Sequence, residues 1–215
     1  MHVVVIGTGR VGLVTAAALA TLGHDVVAVD EDVKRIKRLR NGICPFFEPG
    51  LEELVKRGIA HGTLGFEVER AEAVGRAEVV FICVGTPASA SVEASLAAVE
   101  RAARGIAGFL NGPVAVVEKS TVPAGTAGRL RRVLTLARPD LAEHIEVVLN
   151  PEFLREGRAV EDALRPGRIL VGARSPRGFE VMRHLYEPLV REGSRLIETD
   201  IATAELSAHA MPTWL

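Results

Sequence analysis

Short apolar runs rich in β-branched residues alternate along the chain with longer stretches in which apolar residues recur every three or four positions. The runs are HVVVI (2–6), DVVAV (25–29), EVVFICV (78–84), PVAVVE (113–118), IEVVL (145–149) and RILVG (168–172). Each is apolar on both faces, as a strand must be when helices cover both sides of a parallel sheet. The segments 11–23, 32–42, 94–108 and 125–137 carry the helical spacing. The alternation predicts an α/β fold: a doubly wound, mostly parallel sheet with helices on both faces.

The alternation continues without an internal repeat, a low-complexity tract or a recognisable linker. We therefore predict one domain over residues 1–200 and a further helix that begins near residue 201. The last segment, AELSAHAMPTWL (204–215), runs into Pro212 and leaves the apolar Met211, Trp214 and Leu215 without an evident partner.

A glycine-rich turn joins the first predicted strand to the first predicted helix. GTGRVG places Gly7, Gly9 and Gly12 in G-x-G-x-x-G spacing. In a dinucleotide site these glycines permit a tight turn, close approach of a pyrophosphate and close helix packing, and the helix N-terminus offers free N–H groups to the phosphates. Such turns also serve packing alone. Because this turn follows a strand directly and opens a long helix, it favours a Rossmann-type site.

The second predicted strand ends at Asp30, 18 residues after Gly12. A carboxylate at this point can accept hydrogen bonds from both ribose hydroxyls and repels a 2′-phosphate, so it favours NAD over NADP. The alternative is that Asp30 caps the next helix. Arg35 lies one turn into that helix, among Lys34, Lys37 and Arg38, which fit a solvated face.

Three later segments place polar residues where predicted strands end: CVGTPAS (83–89), EKSTVPAGT (118–126) and NPEFLREG (150–157). Ligands of open α/β sheets bind outside the carboxyl ends of the strands, so all three are expected to face one crevice. Each also has a simpler interpretation as a helix-entry turn, a cap or a solvent-facing charge. Because all three segments are expected at the same edge of the sheet, a ligand-binding site is favoured over three unrelated turns.

Composition excludes several other classes of protein. The chain of 215 residues is 48% hydrophobic and 25% charged, with a formal net charge of −1. Neither nucleic acid nor an anionic membrane is an expected partner. No apolar run is long enough to span a bilayer or resembles a signal peptide, so we expect a cytoplasmic protein. Cys44 and Cys83 are far apart and no Cys/His cluster has zinc-like spacing, so we expect no metal.

The motifs GTGRVG, FEPGL (47–51), VGTP, EKSTVPAGT and NPEFLREGRAVEDALRPGRILVG, together with Asp30, resemble the UDP-glucose/GDP-mannose dehydrogenase family, specifically its N-terminal NAD-binding domain. The resemblance covers nearly the whole chain in order and at family-like spacing, and a UDP-glucose 6-dehydrogenase or a related UDP-sugar dehydrogenase is the kind of member that it resembles. It implies oxidation of a sugar C6 alcohol to an aldehyde and then a carboxylate, with reduction of two NAD. The sugar itself is not readable from the sequence.

The resemblance also implies roles for individual residues. The cofactor contacts would be Gly7, Thr8, Gly9, Arg10, Val11, Gly12, Asp30, Arg35, Val84, Gly85, Thr86, Pro87, Ser120, Thr121, Val122 and Glu156. The sugar pocket would be lined by Glu152, Phe153, Leu154, Arg155 and Glu156, and Thr121, Glu152 and Glu156 would be the catalytic residues. A carboxylate near a hydroxyl can relay protons while the nicotinamide takes hydride.

The family reaction also uses a lysine, an asparagine and a cysteine nucleophile, and the resemblance places the first two on a long interdomain helix. Here Ala208 and Pro212 occupy those two positions, and no cysteine follows Cys83. Cys44 and Cys83 are poor substitutes for the nucleophile. We therefore expect residues 201–215 to begin the interdomain helix and the substrate domain to be absent from this chain. We also expect the chain to bind NAD without completing turnover.

Three functions remain open. The chain is a shortened or split UDP-sugar dehydrogenase, or a non-catalytic NAD-binding module that docks on a full-length relative, or a hydroxyacid dehydrogenase of the wider superfamily. The third does not account for STVPAGT together with NPEFLREG. The family implies homo-oligomers, or pairing through the C-terminal helix, and a UDP-sugar as the substrate.

Overall fold

The computed structural model describes residues 1–85, 92–120 and 122–210. Its strands are β1 His2–Ile6, β2 Asp25–Val29, β3 Leu64–Glu67, β4 Val79–Ile82, β5 Val114–Glu118, β6 Ile145–Leu149, β7 Arg168–Gly172 and β8 Arg195–Thr199. Its helices are α1 Arg10–Thr21, α2 Val33–Arg40, α3 Leu51–His61, α4 Ala71–Gly75, α5 Val92–Ala107, α6 Thr126–Ala137, α7 Ala159–Leu164, α8 Pro176–Leu185, α9 Glu187–Arg191 and α10 Ile201–Ala210.

The strands form one sheet in the order β3-β2-β1-β4-β5-β6-β7-β8. Neighbouring strands are parallel except β6 and β7, which pair antiparallel through Leu149 and Gly172. Strands are added outward from β1 in both directions, so the crevice between the ends of β1 and β4 is a topological switch point. In such sheets this crevice is where ligands bind.

Two apolar layers cover the sheet. On one face β1 and β4 contribute Val3, Val5 and Phe81, which pack against α1 and α3; on the other, Val4 and Ile82 pack against α5 and α6. Every residue of β4 and β5 is buried. This two-sided burial explains the continuous apolar runs in the sequence.

The predicted doubly wound α/β fold is confirmed, and all six predicted strands are present. Two strands, β3 and β8, and five helices, α3, α4, α7, α8 and α9, were not predicted from the sequence. β3 reads LGFE, a short segment that contains glycine, and β8 reads RLIET, an exposed edge strand that lacks a continuous apolar pattern. Both strands are held in place by pairing with a neighbour, which a single-sequence pattern does not reveal.

The last described helix, α10, begins at Ile201, as predicted, and packs on β7. An added Cβ at Gly172 would come within 2.6 Å of the Ala204 Cβ, so glycine is required for this close contact. Ala208 lies on α10 and is buried. Met211, Pro212, Trp214 and Leu215 lie outside the described residues.

Glu205 of α10 caps a different helix. Its carboxylate accepts hydrogen bonds from the Gly125 N–H at 2.7 Å and the Ala127 N–H at 3.1 Å, at the start of α6. The N-cap residue of α6 is Gly125, which offers no side-chain acceptor. The buried carboxylate therefore stabilises α6 and fixes α10 against it.

We expect Glu205→Ala to lower the free energy of unfolding by about 1–3 kcal/mol, because two helix N–H groups would lose their acceptor. Urea denaturation measures this loss. Glu192→Ala removes an exposed carboxylate and serves as the control. Equal stability of the two variants would show that the carboxylate does not cap α6.

Candidate functional site

The glycine-rich turn has the geometry that its sequence predicts. Gly7 adopts φ +99°, and an added Cβ there would lie 2.5 Å from the Cys83 carbonyl oxygen. A Cβ on Gly12 would lie 1.9 Å from the Gly7 carbonyl oxygen, whereas a Cβ on Gly9 would meet nothing within 4 Å. Gly7 and Gly12 are thus required for packing within the protein. Gly9 borders open space at the N-terminus of α1, where the helix has no side-chain cap.

Asp30 joins the end of β2 to this turn. Its Oδ2 accepts hydrogen bonds from the Thr8 N–H at 2.7 Å, the Thr8 hydroxyl at 2.8 Å and the Arg35 guanidinium at 2.9 Å. Its Oδ1 accepts only the Asp32 N–H, at 3.0 Å, among the described residues. Partial burial acts to raise the pKa of Asp30, but these hydrogen bonds outweigh burial and hold the pKa below its ordinary value. The side chain is therefore an anion with a remaining acceptor site.

The alternative role of Asp30 as a helix cap is wrong. The residue that caps α2 is Asp32, whose side chain accepts the Arg35 N–H at 3.0 Å. Arg35 differs from its exposed neighbours Lys34, Lys37 and Arg38, because its guanidinium contacts Asp30. This ion pair holds α2 against the glycine-rich turn.

A second charged group lies on the other side of the turn. The Arg10 guanidinium lies 3.5 Å from the Glu156 carboxylate and 4.0 Å from that of Glu48, and it covers the Phe46 ring. Glu48 is buried and accepts the Gly157 and Ala159 N–H groups at the start of α7. The segments around residues 47–51 and 150–157 therefore meet beside the glycine-rich turn. From the sequence, Glu48 had no predicted role beyond its place in the FEPGL motif.

The ends of β4 and β5 meet at the same edge. The Ser120 hydroxyl donates to the carbonyl oxygens of Val84 at 3.1 Å and Ile82 at 3.4 Å. Val122 is buried in the core, with 2% of the residue exposed. Gly85 is exposed. Thr86, Pro87 and Thr121, which the sequence assigned to the site, lie outside the described residues.

The segment after β6 is largely engaged in its own contacts. The Glu152 carboxylate accepts the Leu154 N–H at 2.6 Å, and Arg155 pairs with Asp162 at 2.6 Å. Phe153 lies beneath the Arg168 guanidinium. The Glu156 side chain is 78% exposed and approaches the turn only through Arg10. Of the two predicted catalytic carboxylates, Glu156 therefore lies near the glycine-rich turn and Glu152 is held within its loop.

A buried polar cluster lies beneath this segment. The Lys119 ammonium donates to the Asn150 side-chain oxygen at 3.0 Å, and the Tyr186 hydroxyl donates to the same oxygen at 2.6 Å. The Asn150 amide nitrogen donates to the Leu170 carbonyl at 2.8 Å. Burial lowers the pKa of Lys119. Lys119 and Asn150 lie in the motifs EKSTVPAGT and NPEFLREG, but neither had a role predicted from the sequence, because their common partner Tyr186 lies far along the chain.

Glu118, beside that cluster, is fully buried at the end of β5. One carboxylate oxygen accepts the Ser120 N–H at 2.9 Å, and the other has no hydrogen-bond partner among the described residues. Burial raises the pKa of Glu118 from 4.5 to about 8, despite the hydrogen bonds from Ser120. At neutral pH the side chain is therefore mostly protonated and supports the backbone that leads to Ser120.

This raised pKa predicts a pH-dependent stability. Between about pH 4.5 and about pH 8, Glu118 is ionised in the unfolded chain but still protonated in the folded chain. Rising pH therefore lowers the free energy of unfolding across this window. Above about pH 8 the carboxyl group is ionised in both states, and the stability that the protonated group contributed is fully lost. Glu118→Gln removes this slope. We expect its unfolding free energy, relative to the wild type, to rise across that window by at most about 1.4 kcal/mol per pH unit. Urea denaturation across this pH range measures it, with the exposed Glu143→Gln as the control; parallel profiles for Glu118→Gln and the wild type would contradict the assignment.

Neither cysteine is suited to act as a nucleophile. Burial raises the pKa of the Cys44 thiol to about 11 and that of Cys83 to about 12. Within residues 1–85, 92–120 and 122–210, no group of three His, Cys, Asp or Glu side chains is placed to hold a metal ion. The helices in these ranges include none long and apolar enough to cross a membrane.

Comparison with known proteins agrees with this architecture. Residues 1–190 match the NAD binding domain of the UDP-glucose/GDP-mannose dehydrogenase family. A UDP-glucose 6-dehydrogenase of Rhizobium meliloti is 45% identical over 213 residues, which cover 98% of this chain and 48% of the relative. The Pseudomonas aeruginosa UDP-glucose 6-dehydrogenase is 41% identical over 217 residues, again covering 48% of the relative. The chain thus spans about half the length of these relatives.

Solved structures give the same result. A ternary complex of GDP-mannose dehydrogenase from Pseudomonas aeruginosa superposes with a TM-score of 0.88 at 29% identity, over 100% of this chain and 50% of that one. A UDP-glucose dehydrogenase from Pyrobaculum islandicum superposes with a TM-score of 0.85 at 36% identity, over 99% of this chain and 49% of that one. The chain therefore belongs to the UDP-glucose/GDP-mannose dehydrogenase family, and its residues 1–190 are the NAD-binding domain of that family.

Proposed function

We propose that this chain is the NAD-binding half of a UDP-sugar 6-dehydrogenase of the UDP-glucose to UDP-glucuronate type. The observation that carries the proposal is the junction of Thr8, Asp30 and Arg35, which places an anionic acceptor beside the glycine-rich turn. The relatives named UDP-glucose 6-dehydrogenase support the choice of substrate class.

The residues present fit NAD. Gly9 leaves open space at the N-terminus of α1, where the pyrophosphate would bind to free N–H groups. The acceptor site left on the Asp30 Oδ1 suits a ribose hydroxyl, and its charge disfavours the 2′-phosphate of NADP. Val84, Gly85 and Ser120 would border the nicotinamide end. When bound, NAD supplies the acceptor for the hydride that leaves the sugar carbon.

The sugar side of the site would be formed by residues 152–156. In this proposal the alcohol carbon loses four electrons in two steps, a water oxygen enters at the aldehyde stage, and protons leave to nearby bases. Glu152 and Glu156 are the carboxylates that can accept those protons, with Thr121 placing the water. The exposed Glu156 would be oriented by Arg10, whose guanidinium lies 3.5 Å away.

We further propose that the 215-residue chain alone binds NAD but does not complete the oxidation. Ala208 lies buried on α10 where the resemblance places a lysine, and a methyl group can neither donate a hydrogen bond nor carry charge. The two thiols have raised pKa values and are unsuited to attack an aldehyde. The alternative is a non-catalytic NAD-binding or interaction module that docks on a full-length relative, which the alanine at position 208 also fits.

NADH absorbance tests this proposal. With NAD and UDP-glucose, the purified chain is expected to form no NADH; steady NADH formation would contradict the expected lack of turnover. A fusion to the C-terminal half of the Rhizobium meliloti relative, carrying Ala208→Lys and Pro212→Asn, is expected to form NADH. A folded, NAD-binding fusion without activity would favour the non-catalytic module.

Asp30→Asn is expected to raise the Kd for NAD about 10-fold or more, because the charge that receives the ribose hydroxyls is lost. Discrimination against NADP should fall in the same variant. Calorimetric titration measures both. Glu31→Gln neutralises the neighbouring carboxylate, which is 85% exposed, and should bind NAD as the wild type does. Unchanged NAD affinity in Asp30→Asn would exclude Asp30 from the cofactor site.

A further inference from the structure

The carboxylate of Glu48 lies buried between the glycine-rich turn and the segment that carries Glu156. Its side chain is only 1% exposed. One oxygen accepts the Ala159 N–H at 2.9 Å and the other accepts the Gly157 N–H at 3.1 Å, from residues 111 and 109 positions along the chain. Because each oxygen accepts a different backbone N–H, the carboxylate fixes the two segments in one relative position.

These hydrogen bonds act on the backbone next to Glu156. The Gly157 N–H belongs to the peptide group that joins Glu156 to Gly157. Gly157 adopts φ +80°, so the chain turns directly after Glu156. The N-cap residue of α7, Arg158, forms no side-chain cap hydrogen bond, and Glu48 supplies the acceptor instead. Glu48 therefore caps α7 and holds the peptide group that adjoins Glu156.

The Glu156 side chain itself has little to hold it. It is 78% exposed, and its carboxylate approaches the Arg10 guanidinium at 3.5 Å. The neighbouring Arg155 is paired with Asp162, inside the same part of the chain. That pair stabilises the segment locally but does not connect it to the glycine-rich turn. The approach of Glu156 to Arg10 therefore depends on where the backbone is held.

The residues around Glu48 also contact the turn. A Glu48 carboxylate oxygen lies 4.0 Å from the guanidinium of Arg10, the first residue of α1. The same guanidinium covers the Phe46 ring, 5.2 Å from its centroid. Residues 46–48 thus contact Arg10 on one side and residues 157–159 on the other.

We propose that Glu48 is a positioning residue, which sets the distance of Glu156 from Arg10 and hence from NAD bound at the glycine-rich turn. It touches neither the cofactor nor the sugar and acts through the backbone of residues 157–159. This role rests on the proposed function, because it concerns the placement of Glu156 relative to NAD.

The effect of Glu156→Gln on NAD affinity tests this role. In the wild type, Glu156→Gln leaves the Arg10 guanidinium free for the pyrophosphate, so the Kd for NAD is expected to fall about 3-fold or more. In Glu48→Gln the segment is no longer held near Arg10, and the same substitution should change the Kd by less than about 1.5-fold. Calorimetric titration of the wild type, both single variants and the double variant measures this dependence.

Two further variants separate position from charge. Glu48→Asp keeps the charge, but its side chain is one methylene shorter and cannot reach both N–H groups. The effect of Glu156→Gln should therefore also be lost in Glu48→Asp. Glu53→Gln removes a carboxylate that is 76% exposed on α3, and the effect of Glu156→Gln should persist in full there.

Hydrogen exchange in the NAD-free protein shows whether Glu48→Gln acts locally in a folded chain. The amides of Gly157 and Ala159 are expected to exchange about 10-fold faster or more in this variant. The Gly125 amide, which a different carboxylate accepts, should exchange at the wild-type rate.

NAD binding with the same effect of Glu156→Gln in the wild-type and Glu48→Gln backgrounds would overturn the positioning role alone. So would an unchanged Kd on Glu156→Gln in the wild type, or wild-type exchange at Gly157 in Glu48→Gln. A folded wild type that does not bind NAD would overturn the proposed function, and the positioning role with it.

Discussion

Gly9→Ala is expected to weaken NAD binding about 10-fold or more without disturbing the fold, whereas Gly12→Ala is expected to disrupt the fold itself. A Cβ at Gly9 meets no atom within 4 Å, and the backbone there has φ −68°, which alanine adopts without strain. The methyl group would instead occupy the space through which the pyrophosphate approaches the backbone. We expect the Kd for NAD to rise about 10-fold or more, which corresponds to about 1.4 kcal/mol or more.

At Gly12 the same methyl group would lie 1.9 Å from the Gly7 carbonyl oxygen and 3.1 Å from the Cys83 Cβ. Because the two nearest atoms belong to the backbone of Gly7, which cannot give way as a flexible side chain does, the turn and α1 must move apart. A loss of about 3 kcal/mol or more in the free energy of unfolding is expected.

Denaturant unfolding and calorimetric NAD titration of both variants separate the role of Gly9 in NAD binding from the role of Gly12 in packing. Gly128→Ala, whose Cβ also meets nothing within 4 Å, is the control for adding a methyl group to a helix. Wild-type NAD affinity in Gly9→Ala would exclude the pyrophosphate from this turn. Wild-type stability in Gly12→Ala would contradict the packing of α1 on β1.

Asn150→Ala is expected to be the most destabilising change among the buried polar residues. It removes the oxygen that accepts from Lys119 and Tyr186, and the amide that donates to the Leu170 carbonyl. A buried ammonium and a buried hydroxyl would lose their acceptor together. Because burial already lowers the pKa of Lys119, loss of this acceptor should lower it further.

We expect Asn150→Ala to lower the free energy of unfolding by about 3–5 kcal/mol, the range for breaking a buried hydrogen-bonded charge. Urea denaturation measures the loss. Tyr186→Phe, which removes one donor, should cost about 1 kcal/mol, and Asn41→Ala, on an exposed helix end, should cost less than about 1 kcal/mol. A loss in Asn150→Ala no larger than that in Asn41→Ala would show that the cluster does not stabilise the fold.

Local patterns were sufficient to predict the centre of the sheet and the glycine-rich turn. β1, α1 and β2 follow one another in sequence, and each carries a periodicity that the core requires. The contacts of Glu48 were not predictable in the same way. Its carboxylate accepts N–H groups of residues 157 and 159, more than a hundred positions away, and only the folded chain brings them together.

The choice between Asp30 and Asp32 shows a second limit. Both are aspartates at the start of α2, and either type of residue can cap a helix. Only the folded position of Thr8 shows that Asp30 faces the glycine-rich turn, whereas Asp32 caps α2. The edge strand β8 was missed for a related reason, since its residues are mostly exposed and its conformation depends on pairing with β7.

Calorimetric titration of the 215-residue chain with NAD tests most directly whether the cofactor half-site is complete in this polypeptide. We predict saturable binding at one site per chain with a Kd in the micromolar range, and binding of NADP that is about 10-fold weaker or more. A folded chain that gives no saturable heat with NAD, or that binds NADP as tightly as NAD, would contradict this account.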